Sequence, residues 1–530
     1  MFLIMSAAYV GQELQSEFGK LPPSFLPLAN RRLFQQQVSL APKDVAIFLS
    51  VPESYRIMKT DVSWLQTNNV SIIYTPEGIS LGASLVAALN LSEHNLDTSL
   101  HILFGDTLLS ELPLGENIVC VSDVKESYDW AIVTTDESHW LKTSEQEIKS
   151  DAHNVVNGYF NFSKPRQLIR AMTQCNWQFL EGLNNYRDQV GLTTIYSEHW
   201  LDFGHVNSYY RSKANFTTQR AFNELIITSE WVEKASSNNK KISAEANWFN
   251  KLPFSLRGFI PQYLGSQQKH GRISYRLEYL HLTALNELYV FGDLALSNWE
   301  QILSGCVNFL KSCQQEKAPS TVSVNLLPEL LEQKTYHRLE KYCISKSISL
   351  TDKWQYNNEK PISIEAMLND CAKHLPNITS RDGITILHGD FCFSNVLYDF
   401  RANKIKTIDP RGMTSAGEPT LFGDIRYDIA KLSHSVIGMY DWLIAGYYEV
   451  ETTNFNIHFH IEESPQLKEI QQFFINLVER EFSISAVSLL AMQVHLFFSM
   501  LPLHNDDNVR QQALFANAIR LYFTMKRFEE

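Results

Sequence analysis

Three polar side chains fall within twenty positions of one another: Asp390 and Asn395 in LHGDFCFSNVLY, and Asp409 in IDPRG. A carboxylate, an amide and a second carboxylate at this spacing suit phosphoryl transfer, which demands alignment and charge neutralisation more than covalent chemistry. Two oxygen ligands on neighbouring strands or loops can hold Mg²⁺ against the β- and γ-phosphates of a nucleotide. A separate carboxylate can then orient the alcohol. Taken singly, an Asp before a Phe is more often a turn or a helix cap. The three together, after an apolar strand-like run, point to chemistry.

A second, sparser constellation lies in the N-terminal part. Asp106 ends the strand-like run HILFGDTLL, and Asp202 sits in HWLDFGHVNSYYRS. Two carboxylates delivered from distant parts of an α/β sheet can bind one divalent ion, as required when an anionic phosphate attacks a nucleoside triphosphate. Spacing does not show that they meet, and each Asp also suits a turn.

The elements that must position these residues divide the chain. Up to about residue 110, short β-branched runs (VAIFLSV, VSIIYT, SLHILFGD) alternate with stretches of helical period such as LGASLVAALNLS, the pattern of βαβ units and a mostly parallel sheet. From about 214 to 290 come WVEKAS, a polar SSNNKK turn, the helical ISAEANWFNKL and the β-rich RISYRLEYL, which predict a small α+β lobe. Beyond about 294, apolar residues recur at helical period almost to the C-terminus. The expected fold is α/β: a Rossmann-like domain over residues 1–215, then a two-lobed α+β domain over 216–530 with a small lobe to about 293 and a helical lobe after it. The boundary is expected between residues 211 and 225.

Composition narrows the partners. A length of 530 residues exceeds one hydrophobic core, and 44% hydrophobic with 20% charged residues is an ordinary globular balance. The net charge of -12 supplies no basic stripe for nucleic acid, although nucleotide substrates need only local cations and a metal. Seven cysteines without any metal-ligand spacing fit a reducing cytoplasm, and Cys392 lacks a visible base for nucleophilic work. The opening MFLIMSAAYVGQEL reads as a buried strand rather than an export signal, and the apolar run Val487 to Leu503, carrying Gln493, His495 and Pro502, as a core helix. No membrane insertion is expected; a homo-oligomer is compatible with this composition.

The run LHGDFCFSNVLYD, followed by IKTIDPRG and GDIRYDIAKLSHS, resembles the aminoglycoside phosphotransferase and choline kinase superfamily, whose small-molecule kinases share the protein-kinase fold. The resemblance spans about 300 residues. It implies Asp390 as catalytic base, Asn395 and Asp409 as magnesium ligands, and His388 as a support for the loop. It also implies that Lys234 in WVEKAS contacts the α- and β-phosphates, with Glu245 in ISAEANWF as its helix partner. SSNNKK is similar in place to a phosphate-covering loop, but it follows Lys234 and lacks glycine, while NELIITSE, before the lysine, carries no motif. Asp424 and Asp428 in GDIRYDIAKL match a family motif behind the metal loop, and helix capping by Asp424 is an equally good account.

The N-terminal 211 residues look like nucleotide-sugar pyrophosphorylases, a group that includes cytidylyltransferases for small phospho-alcohols. FGD, WLDFG, NGYFNF and SLGASLVAAL carry this resemblance. It implies metal binding by Asp106 and Asp202 and nucleotide contacts at Gly11 and Gly82. The sequence departs from the pattern at Glu13, where an Arg is expected, and at Pro23, near the expected Lys; Lys20, Arg31 and Arg32 stand close by. An anionic Glu13 would oppose triphosphate binding by a few kcal/mol.

The expected function is a two-step enzyme using Mg²⁺, ATP and a second NTP, with CTP a candidate. One half phosphorylates a small hydroxylated compound, a sugar first or choline second, and the other couples the phosphate to a nucleotide; the pairing implies cell-surface polysaccharide such as capsule. Two alternatives stand beside it: a kinase with a degenerate, non-catalytic N-terminal domain, and a nucleotide-sensing scaffold. Tyr279, Trp442 and Tyr447 are candidates for an aromatic cage around a quaternary ammonium, against the commoner role of core packing.

Overall fold

The computed structural model describes residues 1–124, 128, 130–133, 140–143, 154–220, 225–322, 326–376 and 383–530. The chain divides into two compact units, Met1–Lys213 with Phe291–Asp293, and Ala214–Val290 with Leu294–Glu530. Residues 221–224, within the stretch expected to hold the boundary and beginning the NELIITSE run, extend beyond the described residues on that side.

In the first unit, seven strands run in the order Thr193–Tyr196, Ile118–Asp123, Asn154–Phe162, Leu100–Phe104, Phe2–Met5, Ile47–Pro52 and Val70–Thr75. Pairing is parallel except at Asn154–Phe162, which is antiparallel to both neighbours. The first strand, FLIM, is buried on both faces: Phe2 and Ile4 enter one core cluster, Leu3 and Met5 the other. A strand covered by helices on both sides has no reason to alternate polar residues, which is why it reads as a continuous apolar run.

A short antiparallel pair beyond this sheet matters more for chemistry. Trp200–Asp202 lies against Thr107–Leu109 with Asp202 opposite Thr107. Two segments nearly a hundred residues apart in sequence are thereby set side by side.

The second unit begins with a four-stranded antiparallel sheet, ordered Leu225–Ile227, Trp231–Ala235, Arg272–Glu278 and Tyr263–Lys269. The turn before Lys234 is short: Thr228 Oγ1 accepts from the backbone N–H of Trp231 at 3.0 Å. The SSNNKK segment leads into a helix. Its Asn238 caps the helix Asn239–Lys251, accepting from the Lys241 N–H at 3.1 Å, because an Asn at this position satisfies an N-terminal donor that the helix leaves unpaired.

The helical part includes Leu296–Gln314, Lys334–Lys346, Ile425–Val436, Pro465–Phe482, Ala486–Met500 and Asn508–Glu529. Among the described residues one helical stretch, Ala486–His504, is long and apolar enough to cross a membrane by length and composition, and 72% of its apolar window is buried within the protein. Its Gln493 donates to the Ala430 carbonyl at 2.8 Å and also pairs with the His434 ring. All seven cysteines are free, and burial pushes the Cys392 thiol up to about 12, which removes it as a nucleophile.

Candidate active sites

The LHGDFCFSN loop is held by backbone hydrogen bonds to buried side chains. The strand Ile384–Ile386 pairs with Phe422–Asp424, which leads into the helix Ile425–Val436. From that helix the fully buried Asp428 accepts the N–H groups of His388 at 2.7 Å and Gly389 at 2.8 Å. Burial raises the Asp428 carboxyl to about 7 despite those two donors. Two turns further on, Ser435 Oγ accepts from the Phe393 N–H at 3.0 Å. Asp424 caps the helix, accepting from the Arg426 N–H at 3.0 Å.

His388 locks the same loop from inside. Its Nε2 donates to the Ile408 carbonyl at 2.9 Å, and its Nδ1 accepts from the Asp390 N–H at 3.3 Å. Burial drives its pKa down to about 4, so the ring is neutral and can play both roles at once. Gly389 is required here: at φ +80° an added Cβ would lie 2.7 Å from the Arg411 Cβ.

A hairpin brings the two remaining oxygens together. Val396–Asp399 pairs with Lys404–Thr407 with Val396 opposite Thr407, so Asn395 and Asp409 flank the open end. The Ile408 N–H closes that end on the Asn395 carbonyl at 2.9 Å. Asn395 Nδ2 donates to the Asp390 carbonyl at 2.9 Å and to Asp390 Oδ2 at 3.2 Å, which turns its Oδ1 away as a free acceptor. Asp409 adopts the left-handed φ of +54°.

Lys234 lies 2.9 Å from Glu245 Oε2 and 2.9 Å from Asp409 Oδ1. Glu245 is 1% exposed and also accepts from the Tyr275 hydroxyl at 2.8 Å, whereas Asp409 is 44% exposed. The lysine is therefore anchored by one buried carboxylate and reaches a second that faces open space. Burial works against its charge, but Asp409 and then Glu245 outweigh it and raise its pKa.

Lys431, on the helix Ile425–Val436, places its Nζ 2.8 Å from Asp390 Oδ1. Burial alone would raise the Asp390 pKa; Lys431, with His388 and Asn395, holds it below its ordinary value. Lys431 and Ser435 were not singled out in the sequence, yet Asp428, Lys431 and Ser435 in YDIAKLSHS have the i, i+3, i+7 spacing of one helical face. That periodicity was the available signal.

Lys234, Glu245, Asp390, Asn395, Asp409 and Lys431, among others, line one cavity of about 470 Å³. Among the described residues no three His, Cys, Asp or Glu side chains converge as a metal group. The free Asn395 Oδ1 and the accessible Asp409 carboxylate fit Mg²⁺ nonetheless, since that ion is commonly held by one or two protein oxygens plus phosphates and water. Tyr279, Trp442 and Tyr447 do not line the cavity. Trp442 and Tyr447 are buried and pack edge to face at 5.8 Å. For Trp442 and Tyr447 the aromatic-cage expectation thus gives way to core packing.

In the first unit Asp106 and Asp202 converge. An added Cβ on Gly204 would lie 2.7 Å from Asp106 Oδ2 and 3.2 Å from Asp202 Oδ1. Burial, and then the charge of Asp202, raise the Asp106 carboxyl to about 6. His205 Nδ1 stands 3.1 Å from Asp202 Oδ2, which also accepts from Ser208 Oγ. The His205 ring stacks on Tyr128 with centroids 4.0 Å apart. His205 and Ser208 went unrecognised in the sequence, where a lone histidine carries little signal.

The glycines have different settings. Gly82 is buried, and an added Cβ would meet the Trp177 carbonyl at 2.3 Å, so a close backbone approach requires it. Gly11 has open space around it at φ −62° and precedes the helix Gln12–Phe18. Glu13 is exposed on that helix, Pro23 begins a short 3₁₀ turn, and Lys20 lies 4.1 Å over the Tyr9 ring.

No protein-family model matches the chain, and no curated protein matches it. Solved structures similar to the N-terminal part include a nucleoside-diphosphate-sugar pyrophosphorylase from Vibrio cholerae RC9 (14% identity, 40% of this chain and 99% of that one, TM-score 0.32). An inositol-1-phosphate CTP transferase from T. maritima is similar at 14% identity, over 41% of this chain and 95% of that one, with a TM-score of 0.32. An aminoglycoside-3'-phosphotransferase of type VIII matches at 12% identity over 59% of this chain and 99% of that one, with a TM-score of 0.29.

Proposed function

We propose that the second unit transfers the γ-phosphoryl group of ATP to the hydroxyl of a small molecule. The observation that carries this reading is the convergence on one cavity of an ion-paired Asp390, the Asn395 and Asp409 oxygens, and Lys234 anchored by Glu245. Asp390 orients the acceptor hydroxyl and takes its proton as the new O–P bond forms; the bond from the γ-phosphorus to the β,γ-bridging oxygen breaks and ADP leaves. Lys234 steadies the nucleotide phosphates, and Asn395 and Asp409 would hold Mg²⁺, whose charge neutralises the phosphate oxygens.

For the first unit the reading is nucleotidyl transfer, supported by the meeting of Asp106 and Asp202 just beyond the central strand Leu100–Phe104 of an α/β sheet. The phosphorylated product would attack an NTP and release pyrophosphate, giving an activated precursor of the kind used for cell-surface polysaccharide. A kinase whose first unit only binds is the competing reading, favoured by Glu13 where a cation is expected. The test incubates the full chain with Mg²⁺, ATP and a panel of hydroxylated metabolites, then adds each NTP and measures pyrophosphate. Transfer to a hydroxyl that disappears in Asp390→Asn supports the first step; pyrophosphate lost in Asp106→Asn supports the second. ATP turnover unchanged in Asp390→Asn would sink the kinase reading.

A further inference from the structure

The cavity beside Asp390 carries more positive charge than phosphoryl transfer from ATP calls for. Its lining includes Lys234, Lys241, Lys334, Arg338, Arg411 and Lys431, against three carboxylates, Glu245, Asp390 and Asp409. Those carboxylates are already engaged: Glu245 and Asp409 by Lys234, and Asp390 by Lys431. Among the described residues, Lys334, Arg338 and Arg411 have no carboxylate within ion-pairing distance.

These three cations are built into the site rather than waving from its rim. Lys334 and Arg338 occupy i and i+4 of the helix Lys334–Lys346, so they share a face, an arrangement that costs helix stability for like charges. A π-helical turn, Glu329–Gln333, runs directly into that face, and such turns are frequent at functional positions. Lys334 Nζ donates to the Tyr427 hydroxyl at 3.3 Å, and Arg338 donates to the Ser499 carbonyl at 3.0 Å. Arg411 lies two positions after Asp409, and its backbone N–H donates to the His388 carbonyl at 2.8 Å. The cluster also acts on its surroundings: burial favours the neutral Tyr427 phenol, yet Lys334, Lys431 and Arg411 together hold its pKa below the ordinary value.

The cluster connects to the catalytic base through one helix. Tyr427 and Lys431 are neighbours at i and i+4 of Ile425–Val436; Lys431 holds Asp390, and Tyr427 holds Lys334. Lys234 and its two carboxylates form a separate group.

We propose that the acceptor alcohol carries an oxyanion of its own, a phosphate or a carboxylate, which Lys334, Arg338 and Arg411 bind while its hydroxyl meets Asp390. This rests on the phosphotransferase reading and adds the substrate's charge. Two guanidinium forks suit the paired oxygens of either anion, and a ligand that neutralises them removes the like-charge cost. A choline-type cation would be repelled here, and an uncharged sugar would leave three cations unmatched.

The test uses the full-length chain saturated with Mg·ADP, titrated calorimetrically with inorganic phosphate, glycerol 3-phosphate, glycerate and glucose 6-phosphate. Glycerol, glucose and choline serve as the uncharged and cationic matches. At least one anion is expected to bind tenfold or more tightly than its match, and Lys334→Met/Arg338→Gln to lose at least tenfold of that affinity. Arg411→Gln should lose it separately, and phosphate against carboxylate probes tells the two anions apart. An alcohol-bearing anion that binds should be phosphorylated on its hydroxyl when ATP replaces ADP, with an acceptor KM raised in the double variant. Failure of every anion to bind, equal binding of the matches, or retention of anion affinity by correctly folded variants would overturn the inference. So would a matching loss of Mg·ADP affinity, which would reassign the cluster to the nucleotide. Absence of Mg·ADP binding to the wild type would instead sink the phosphotransferase reading itself.

Discussion

Lys431 Nζ stands 2.8 Å from Asp390 Oδ1, with the lysine itself 13% exposed. This pairing holds the Asp390 pKa below its ordinary value against burial, which raises it. Replacing Lys431 with Met removes the strongest opposing charge, so the Asp390 pKa must rise. The acid limb of the kcat/KM profile is expected to move to higher pH, with kcat lower by about tenfold or more. Asp390→Asn should cost about 10²–10⁴-fold in kcat with nucleotide affinity retained. A pH-rate profile of both variants checks the pair, and an unmoved acid limb in Lys431→Met would refute it.

Lys234 and Glu245 should behave as a unit. Lys234→Met leaves the buried Glu245 without its nearest cation, and removing one partner of such a pair typically costs about 3 kcal/mol. Lys234→Met/Glu245→Leu should recover most of that stability but none of the ATP affinity. Denaturant titration combined with nucleotide binding reads both effects, and strictly additive losses would count against the coupling.

The first unit offers a steric test. Gly204→Ala inserts a Cβ 2.7 Å from Asp106 Oδ2, closer than carbon and oxygen tolerate, so the carboxylates must part. Mg²⁺ affinity and pyrophosphate release are both expected to fall at least tenfold in this variant. Because the Asp106 carboxyl is raised to about 6, protons should compete with Mg²⁺ as the pH drops through that value. Calorimetry at pH 5 and 7.5 would show it; equal affinities would contradict it.

Stability should also depend on His388. Its pKa is about 4 in the fold against an ordinary 6.5, so between those values the unfolded chain binds more protons. Stability is then full above pH 6.5 and lost as the pH falls toward 4, by about 3 kcal/mol from this residue. Urea unfolding of wild type and His388→Gln across pH 4–7 measures it, with the shallower slope expected in the variant.

The sequence by itself determined the local chemistry and most element types. The D-x-x-x-x-N spacing exposed Asp390 and Asn395 because both sit on one short loop, and the all-apolar FLIM run marked a strand buried on both faces. Helix caps at Asn238 and Asp424 are likewise local, since a cap is made within three residues of itself. Capping by Asn238 is the local reading of SSNNKK, a segment whose place after Lys234 already departed from that of a phosphate-covering loop.

The tertiary structure decided which groups meet. Asp106 and Asp202 converge only because an antiparallel pair sets Asp202 opposite Thr107, and Lys234 reaches Asp409 across 175 positions of chain. Lys334, Arg338 and Arg411 come from a helix and a loop that share no motif, and their common cavity gives them meaning. Coulombic and hydrogen-bond energies depend on distance through space, and burial depends on everything packed around a group. Neither can be read from spacing along the chain when the partners lie on different elements.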